Sequence, residues 1–233
     1  MCGRYVSATP AAQIAAYFGS TSPTTHLPAS YNVAPTQDVY VVVAEDAGWR
    51  MEVFRWGFTP RWAKTGKPTP ILINARAETL AEKPTFRASL RSRRCLIPAD
   101  GFYEWRSNPV DPKRGRKQPF FIHHPDGDPY AFAGLWELQD TPGAEGTPSS
   151  SCVIVTTTPN APMVPIHNRM PVILPPSAWD RWLDREQTEV QLLQDLLLPA
   201  AAEVVALHAV ATGVNNARHD GPQLIAPVVD GMA

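Results

Sequence analysis

The chain has 233 residues, 44% of them hydrophobic, and a formal net charge of −1. That is enough apolar material for one substantial core, while the near-zero charge excludes binding to polyanions by bulk charge alone. Three cysteines, Cys2, Cys95 and Cys152, are too few for a disulfide framework, lack zinc-ligand spacing, and point to a reducing, cytoplasmic setting.

The chain opens Met1-Cys2-Gly3-Arg4-Tyr5. The opening has neither a basic n-region nor an apolar h-region, so no secretory signal is expected. The apolar runs fall far short of the roughly 20 residues that span a bilayer, so no membrane association is expected. Cysteine is small enough for Met1 to be trimmed in front of it, which leaves Cys2 as the first residue. One residue then carries both a free α-amine, with a pKa near about 8, and a thiol, near about 8.5. Such a 1,2-aminothiol condenses with an aldehyde: the amine forms a Schiff base and the thiol closes a five-membered thiazolidine. No internal cysteine has this chemistry. A cysteine at the second position of an arbitrary protein is, however, usually accidental.

Thr9-Pro10 followed by Ala11–Phe18 and Gly19 predicts a short helix capped by Thr9 and ended by glycine. After a Ser/Thr/Pro-rich loop, Tyr31–Thr36 is extended. Val39–Val43 and Trp49–Trp56 read as paired strands. Arg55–Ala63 sets Trp56, Phe58 and Trp62 among arginines in a stretch that cannot be helical. Aromatics interleaved with arginine suit single-stranded nucleic acid. Trp56 and Phe58 read better as core, and Trp62 as the exposed platform.

Ile71–Ile73 reads as a buried strand that ends in Asn74 and Arg76, two residues sharing one face. Phe86–Arg94 reads as a helix that presents Arg87, Arg91 and Arg94 together. From Phe86 to Lys117 nine cations face only Asp100, Glu104 and Asp111, a local polyanion site or a solvated basic loop. Cys95–Ala99 and Ser151–Thr156 are apolar strands with inert core thiols. Glu104 lies among aromatics in Gly101–Trp105, where desolvation favours the neutral, proton-donating carboxyl; an exposed strand position is the plainer alternative. Residues 107–118 and Asp140–Ser150 read as loops, and Pro119–His123 and Tyr130–Leu138 as a hairpin. His123 and His124 lack ligand partners and read as surface residues. His167 and Arg169 alternate onto one face between Pro165 and Pro171. Ser177–Asp184 and Thr188–Leu198 read as helices and Val204–Val210 as a late strand. No metal or cofactor is expected, and no internal repeat or domain boundary appears.

Taken together, Met1–Tyr5, Tyr31–Pro35, Arg55–Gly57, Ile73–Glu78, Arg94–Ala99 with Gly101–Trp105, and Ile166–Pro171 resemble the SRAP family, the SOS response-associated peptidases. Val214-Asn215 fits as well, and the likeness spans nearly the whole chain. It implies a single α+β domain over 1–233, with a twisted, barrel-like antiparallel β core, a few peripheral helices and a short C-terminal tail. It implies a monomeric sensor of abasic sites in single-stranded DNA, nucleoid-associated when bound, that forms a thiazolidine crosslink with the ring-opened sugar. By position, Cys2 is the nucleophile, Asn74 holds the amine and sugar, Glu104 is the acid/base and His167 assists proton transfer. Arg4, Arg76, Arg87 and Arg169 are the phosphate-contacting set, and nearby arginine would help hold a thiolate. Asn32, Pro35, Trp62, Trp105 and Thr156 line the DNA channel. Asn168 departs from the family's more usual Asp between this His and Arg. Two other readings stay open: a thiol (auto)peptidase using Cys2 with His167 and Glu104, and a noncovalent single-strand binder.

Overall fold

The computed structural model describes residues 2–60, 71–107, 117–138 and 150–228. Its architecture is α+β, with two sheets. The first has strand order β12-β8-β7-β1-β2, comprising Ala206–Ala209, Gln118–His123, Gly101–Arg106, Tyr5–Ser7 and Ser30–Val33. All of its pairings are antiparallel. The second runs β11-β10-β4-β3-β6-β9, comprising Met170–Pro171, Ser150–Thr157, Gly48–Trp56, Asp38–Glu45, Arg94–Ala99 and Tyr130–Leu138. Strand β9 pairs in turn with β10, so five strands close a ring of hydrogen bonds. The ring is antiparallel except where β10 runs parallel to β4, and β5 (Asn74–Arg76) continues that parallel edge.

Ring strands β3, β6, β9 and β10 are largely buried on both faces, whereas β4 carries Arg50, Glu52 and Arg55. Val39, Val41 and Val43 of β3 enter the core between the two sheets, with Cys95, Ile97, Cys152 and Ile154. Tyr40 and Val42 point the other way, to a second core under helices α1 (Ala11–Phe18), α2 (Pro84–Ser92) and α3 (Trp179–Leu183). Strands covered on both sides lose the polar alternation of half-exposed ones. Helix α1 buries Ile14, Ala15 and Phe18, and the Phe18 ring stacks on Trp179 with centroids 4.6 Å apart. Gly19, at φ 63°, ends it in the left-handed conformation that glycine adopts without strain. Trp56 and Phe58 are fully buried, as expected of core aromatics. No helix among the described residues is long and apolar enough to cross a membrane.

Several local readings differ from the structure. Thr9 does not cap α1; its hydroxyl donates to Asp100 Oδ1 at 2.6 Å, because Asp100 also accepts the Ala8 and Thr9 amides. Strands β8 and β9 are not a hairpin. Strand β8 pairs with β7 and β12, and β9 with β6 and β10, so the chain crosses between sheets at 124–129. The strand at 71–76 comprises the polar end, Asn74–Arg76, while Ile71 is 56% exposed. Val190–Leu197 is 3-10 rather than α-helical. Trp62, most of the loops expected at 107–118 and Asp140–Ser150, and the C-terminal tail lie outside the described residues.

The basic helix is also different. It stops at Ser92, and Arg94 belongs to β6, where it is 5% exposed. Its guanidinium donates to the carbonyls of Leu90 (2.6 Å), Arg91 (2.8 Å), Trp182 (2.5 Å) and Asp184. Arg94 therefore ties α2 to α3 and is unavailable to a ligand. Arg93 is likewise engaged, by Glu137 at 2.8 Å. Arg94→Met leaves these carbonyls without their donor. It is expected to lower unfolding free energy by about 2–4 kcal/mol in urea titrations, whereas Arg91→Met, on the exposed helix face, is expected to change it little.

Candidate functional site

Strand β7 runs antiparallel to β1, with Tyr5 opposite Phe102. The Tyr103 amide donates to the Arg4 carbonyl at 3.0 Å, so β7 continues alongside the residues that precede β1. This carries Glu104, 2% exposed, past Cys2. Cys2 is fully buried in the inter-sheet core. Its thiol lies 4.0 Å from the Arg4 carbonyl. Burial, and then the negative charge of nearby Glu104, push the thiol well above its ordinary range. Burial therefore works against the thiolate that neighbouring arginine was expected to hold.

The other two residues come from the second sheet. Asn74 opens β5, whose parallel pairing with β10 sets Asn74 opposite Ile154. Its side-chain Nδ2 donates to the Cys2 carbonyl at 2.8 Å. Its Oδ1 is buried and has no hydrogen-bond partner among the described residues. A buried acceptor left open beside Cys2 is ready for an added donor. His167 sits on the segment between β10 and β11. Its Nδ1 lies 3.1 Å from the Arg169 amide, which donates to it, and 3.9 Å from Glu104 Oε1. Cys2, Asn74, Glu104 and His167 thus converge from four separate stretches of chain.

The cationic residues divide into two groups. Arg76, exposed on β5, and Arg169 flank the first side. The Arg169 Nη2 donates to the carbonyl of Thr156 at 2.6 Å, and its fork grips Glu78. Thr156 itself is buried and supports Arg169 from behind. Glu78 was not singled out in the sequence, although its place two residues after Arg76 was the available signal. On the second side, Arg4 donates to Asn32 Oδ1 at 3.0 Å and to the Val214 carbonyl at 2.9 Å. Asn32, 2% exposed, gives its Nδ2 to the carbonyls of Val214, Asn216 and His219. Trp105 Nε1 donates to Asn215 Oδ1 at 2.7 Å. The 214–219 segment is thereby fastened against β1, β2 and β7, with Asn32 as its internal clamp. Pro35 is half-buried in the turn at 34–37, and Asn168 is exposed. Arg87 is exposed on α2, a helix that packs chiefly on β6 and β9. No group of three metal-ligating side chains occurs among the described residues.

The model for SOS response associated peptidase (SRAP) matches residues 1–217. This chain belongs to the SRAP family. The abasic site processing protein YoqW of Bacillus subtilis (strain 168) is 45% identical over 196 residues, 84% of this chain and 85% of that protein. The abasic site processing protein YedK of Escherichia coli (strain K12) is 33% identical over 85% of this chain and 84% of its own length. For the abasic site processing protein HMCES of Gallus gallus the identity is 30%, with 87% and 67% covered. A crystal structure of a protein from Bacteroides thetaiotaomicron superposes with a TM-score of 0.83 at 24% identity, over 98% of this chain and all of that one. This last likeness concerns the fold alone.

The raised thiol gives the SRAP chain a testable reactivity. Iodoacetamide near neutral pH is expected to leave Cys2, Cys95 and Cys152 unmodified in the folded protein while alkylating all three in urea. Modification of folded protein is expected to climb only at strongly alkaline pH, because the thiolate appears only above the raised pKa. Fast labelling of Cys2 at neutral pH, read by peptide mass, contradicts this.

Proposed function

We propose that this SRAP protein, acting as one unit over residues 1–233, senses abasic sites in single-stranded DNA and captures them covalently through Cys2. The observation that carries the reading is the convergence of Cys2 with Asn74, Glu104 and His167, within 2.8 Å for the Asn74–Cys2 contact and 3.9 Å for the His167–Glu104 approach. The names of the relatives, abasic site processing proteins, support the substrate class.

The chemistry follows from the residue types. After Met1 is removed, the Cys2 amine attacks the aldehyde carbon of the ring-opened sugar and forms a carbinolamine. Protonation of its hydroxyl by Glu104 expels one water and leaves a Schiff base. The Cys2 sulfur then adds to the imine carbon, and the thiol proton passes by way of a site carboxylate to the nitrogen. One C–N and one C–S bond form, one water leaves, and no electrons are gained or lost. The amine acts first in this order, since burial disfavours the thiolate. Asn74 Oδ1 is the acceptor that orients the amine, and its Nδ2 already holds the Cys2 carbonyl. His167 moves protons during sugar opening. Arg76, Arg169 and Arg4 meet the flanking phosphates, with Arg87 as an outlying contact and Trp62 as a stacking platform. Asn32 and Thr156 contribute by fixing Arg4 and Arg169. A peptidase that uses the thiol alone needs a thiolate, which this burial disfavours.

Intact-mass spectrometry of untagged protein, before and after incubation with an abasic single strand, tests the reading. The expected product is protein without Met1 plus oligonucleotide, less one water. Cys2→Ser, or any residue retained before Cys2, is expected to abolish it; a processed wild-type protein that gives no adduct sinks the covalent proposal. Glu104→Gln is expected to slow adduct formation by about a hundredfold or more, as loss of a general acid does. Affinity for undamaged single strands is expected to fall with salt, with a log–log slope of about −0.7 per phosphate contact; a flat response removes the arginines from the proposal.

A further inference from the structure

The arginine at the edge of the proposed site is already occupied. Arg169 Nη1 and Nη2 donate to the two carboxylate oxygens of Glu78, at 2.5 and 3.0 Å. Nη2 also donates to the Thr156 carbonyl. The Arg169 side chain is 12% exposed and that of Glu78 47%. The guanidinium is therefore anchored in the wall, and the carboxylate covers it from the solvent side. Glu78 lies within electrostatic reach of Arg76 as well. Its hydrogen bond to Arg169, with the charges of Arg169 and Arg76, holds its carboxyl below the usual range. A carboxylate that takes both terminal nitrogens of an arginine uses the same two-point fork as a phosphate diester.

We infer that Glu78 is an affinity- and specificity-determining residue: its carboxylate occupies the face of Arg169 that a backbone phosphate of the bound strand takes, so binding must displace it. This rests on the single-stranded DNA reading above. Glu78 is the solvent-facing partner, 47% exposed, so its carboxylate regains water when a phosphate of the same two-point geometry replaces it on Arg169. Its charge nevertheless lowers affinity for any strand held by the backbone alone. Intact single strands are then released readily, while a strand with an abasic site is retained by covalent capture. A residue that merely positioned Arg169 has the opposite sign, because its removal weakens binding.

The test measures fluorescence anisotropy of a labelled, undamaged oligothymidine across a salt series. Proteins compared are wild type, Glu78→Gln, Glu78→Ala, Arg169→Gln and the double variant Glu78→Gln/Arg169→Gln. At low salt Glu78→Gln is expected to tighten binding by about three- to fivefold. The salt dependence is expected to steepen by about 0.7 in log–log slope, as one further cation becomes free to release counterions. Glu78→Ala is expected to act in the same direction. Both effects are expected to vanish when Arg169 is also replaced. Unchanged or weaker binding in the two Glu78 variants overturns the inference, as does a gain that persists in full without Arg169. In either case, wild-type binding leaves the DNA reading standing. Wild-type protein that binds no single strand at all overturns that reading, and this inference with it.

Discussion

The hydrogen bond from the Asn74 amide to the Cys2 carbonyl joins the two sheets at the point where the proposed chemistry occurs. Asn74 stands on β5, a three-residue strand whose position depends on β10. Strand β10 in turn pairs with β9, β4, β5 and β11. A side chain mounted there inherits the stiffness of the hydrogen-bonded ring. Cys2, by contrast, precedes the first strand and would fray without such a tether. Placing reactive groups on rigid elements keeps their separations within the tolerance that bond formation needs.

Burial sets the protonation chemistry as much as proximity does. The Cys2 thiol is surrounded by core side chains, and a thiolate there loses solvation that its neighbours replace only in part. Glu104 close by adds to that cost rather than offsetting it. The proposed order of events, amine before sulfur, is a consequence of this environment.

The cations illustrate how residue type and residue role part company. A run of basic residues after Phe86 reads as one polyanion surface, yet its members have separate fates. Arg94 satisfies four carbonyls in the interior, Arg93 holds Glu137, and Arg87 and Arg91 alone keep an open face on α2. Arg4 and Arg169 are also engaged by protein acceptors. Buried guanidinium groups must be satisfied, and the acceptors that satisfy them come from distant parts of the chain.

The sequence alone places strands at Val39–Val43, Trp49–Trp56, Cys95–Ala99 and Ser151–Thr156 and the helix at Ala11–Phe18, each within an observed element. Apolar runs, β-branched residues and a terminating glycine are local signals. The ordered motifs from Cys2 to Pro171 also point to the family, and the resemblance implies Asn74, Glu104 and His167 as companions of Cys2. Only the tertiary structure decided that β8 and β9 belong to different sheets. An apolar stretch states that it will be buried but not which strand will cover it. It likewise decided that Arg94 is internal, that Asn32 clamps the 214–219 segment, that Glu78 covers Arg169 and that the Cys2 thiol is buried in the core. Each of these is set by hydrogen bonding and desolvation summed over groups remote in sequence, which a local pattern does not encode.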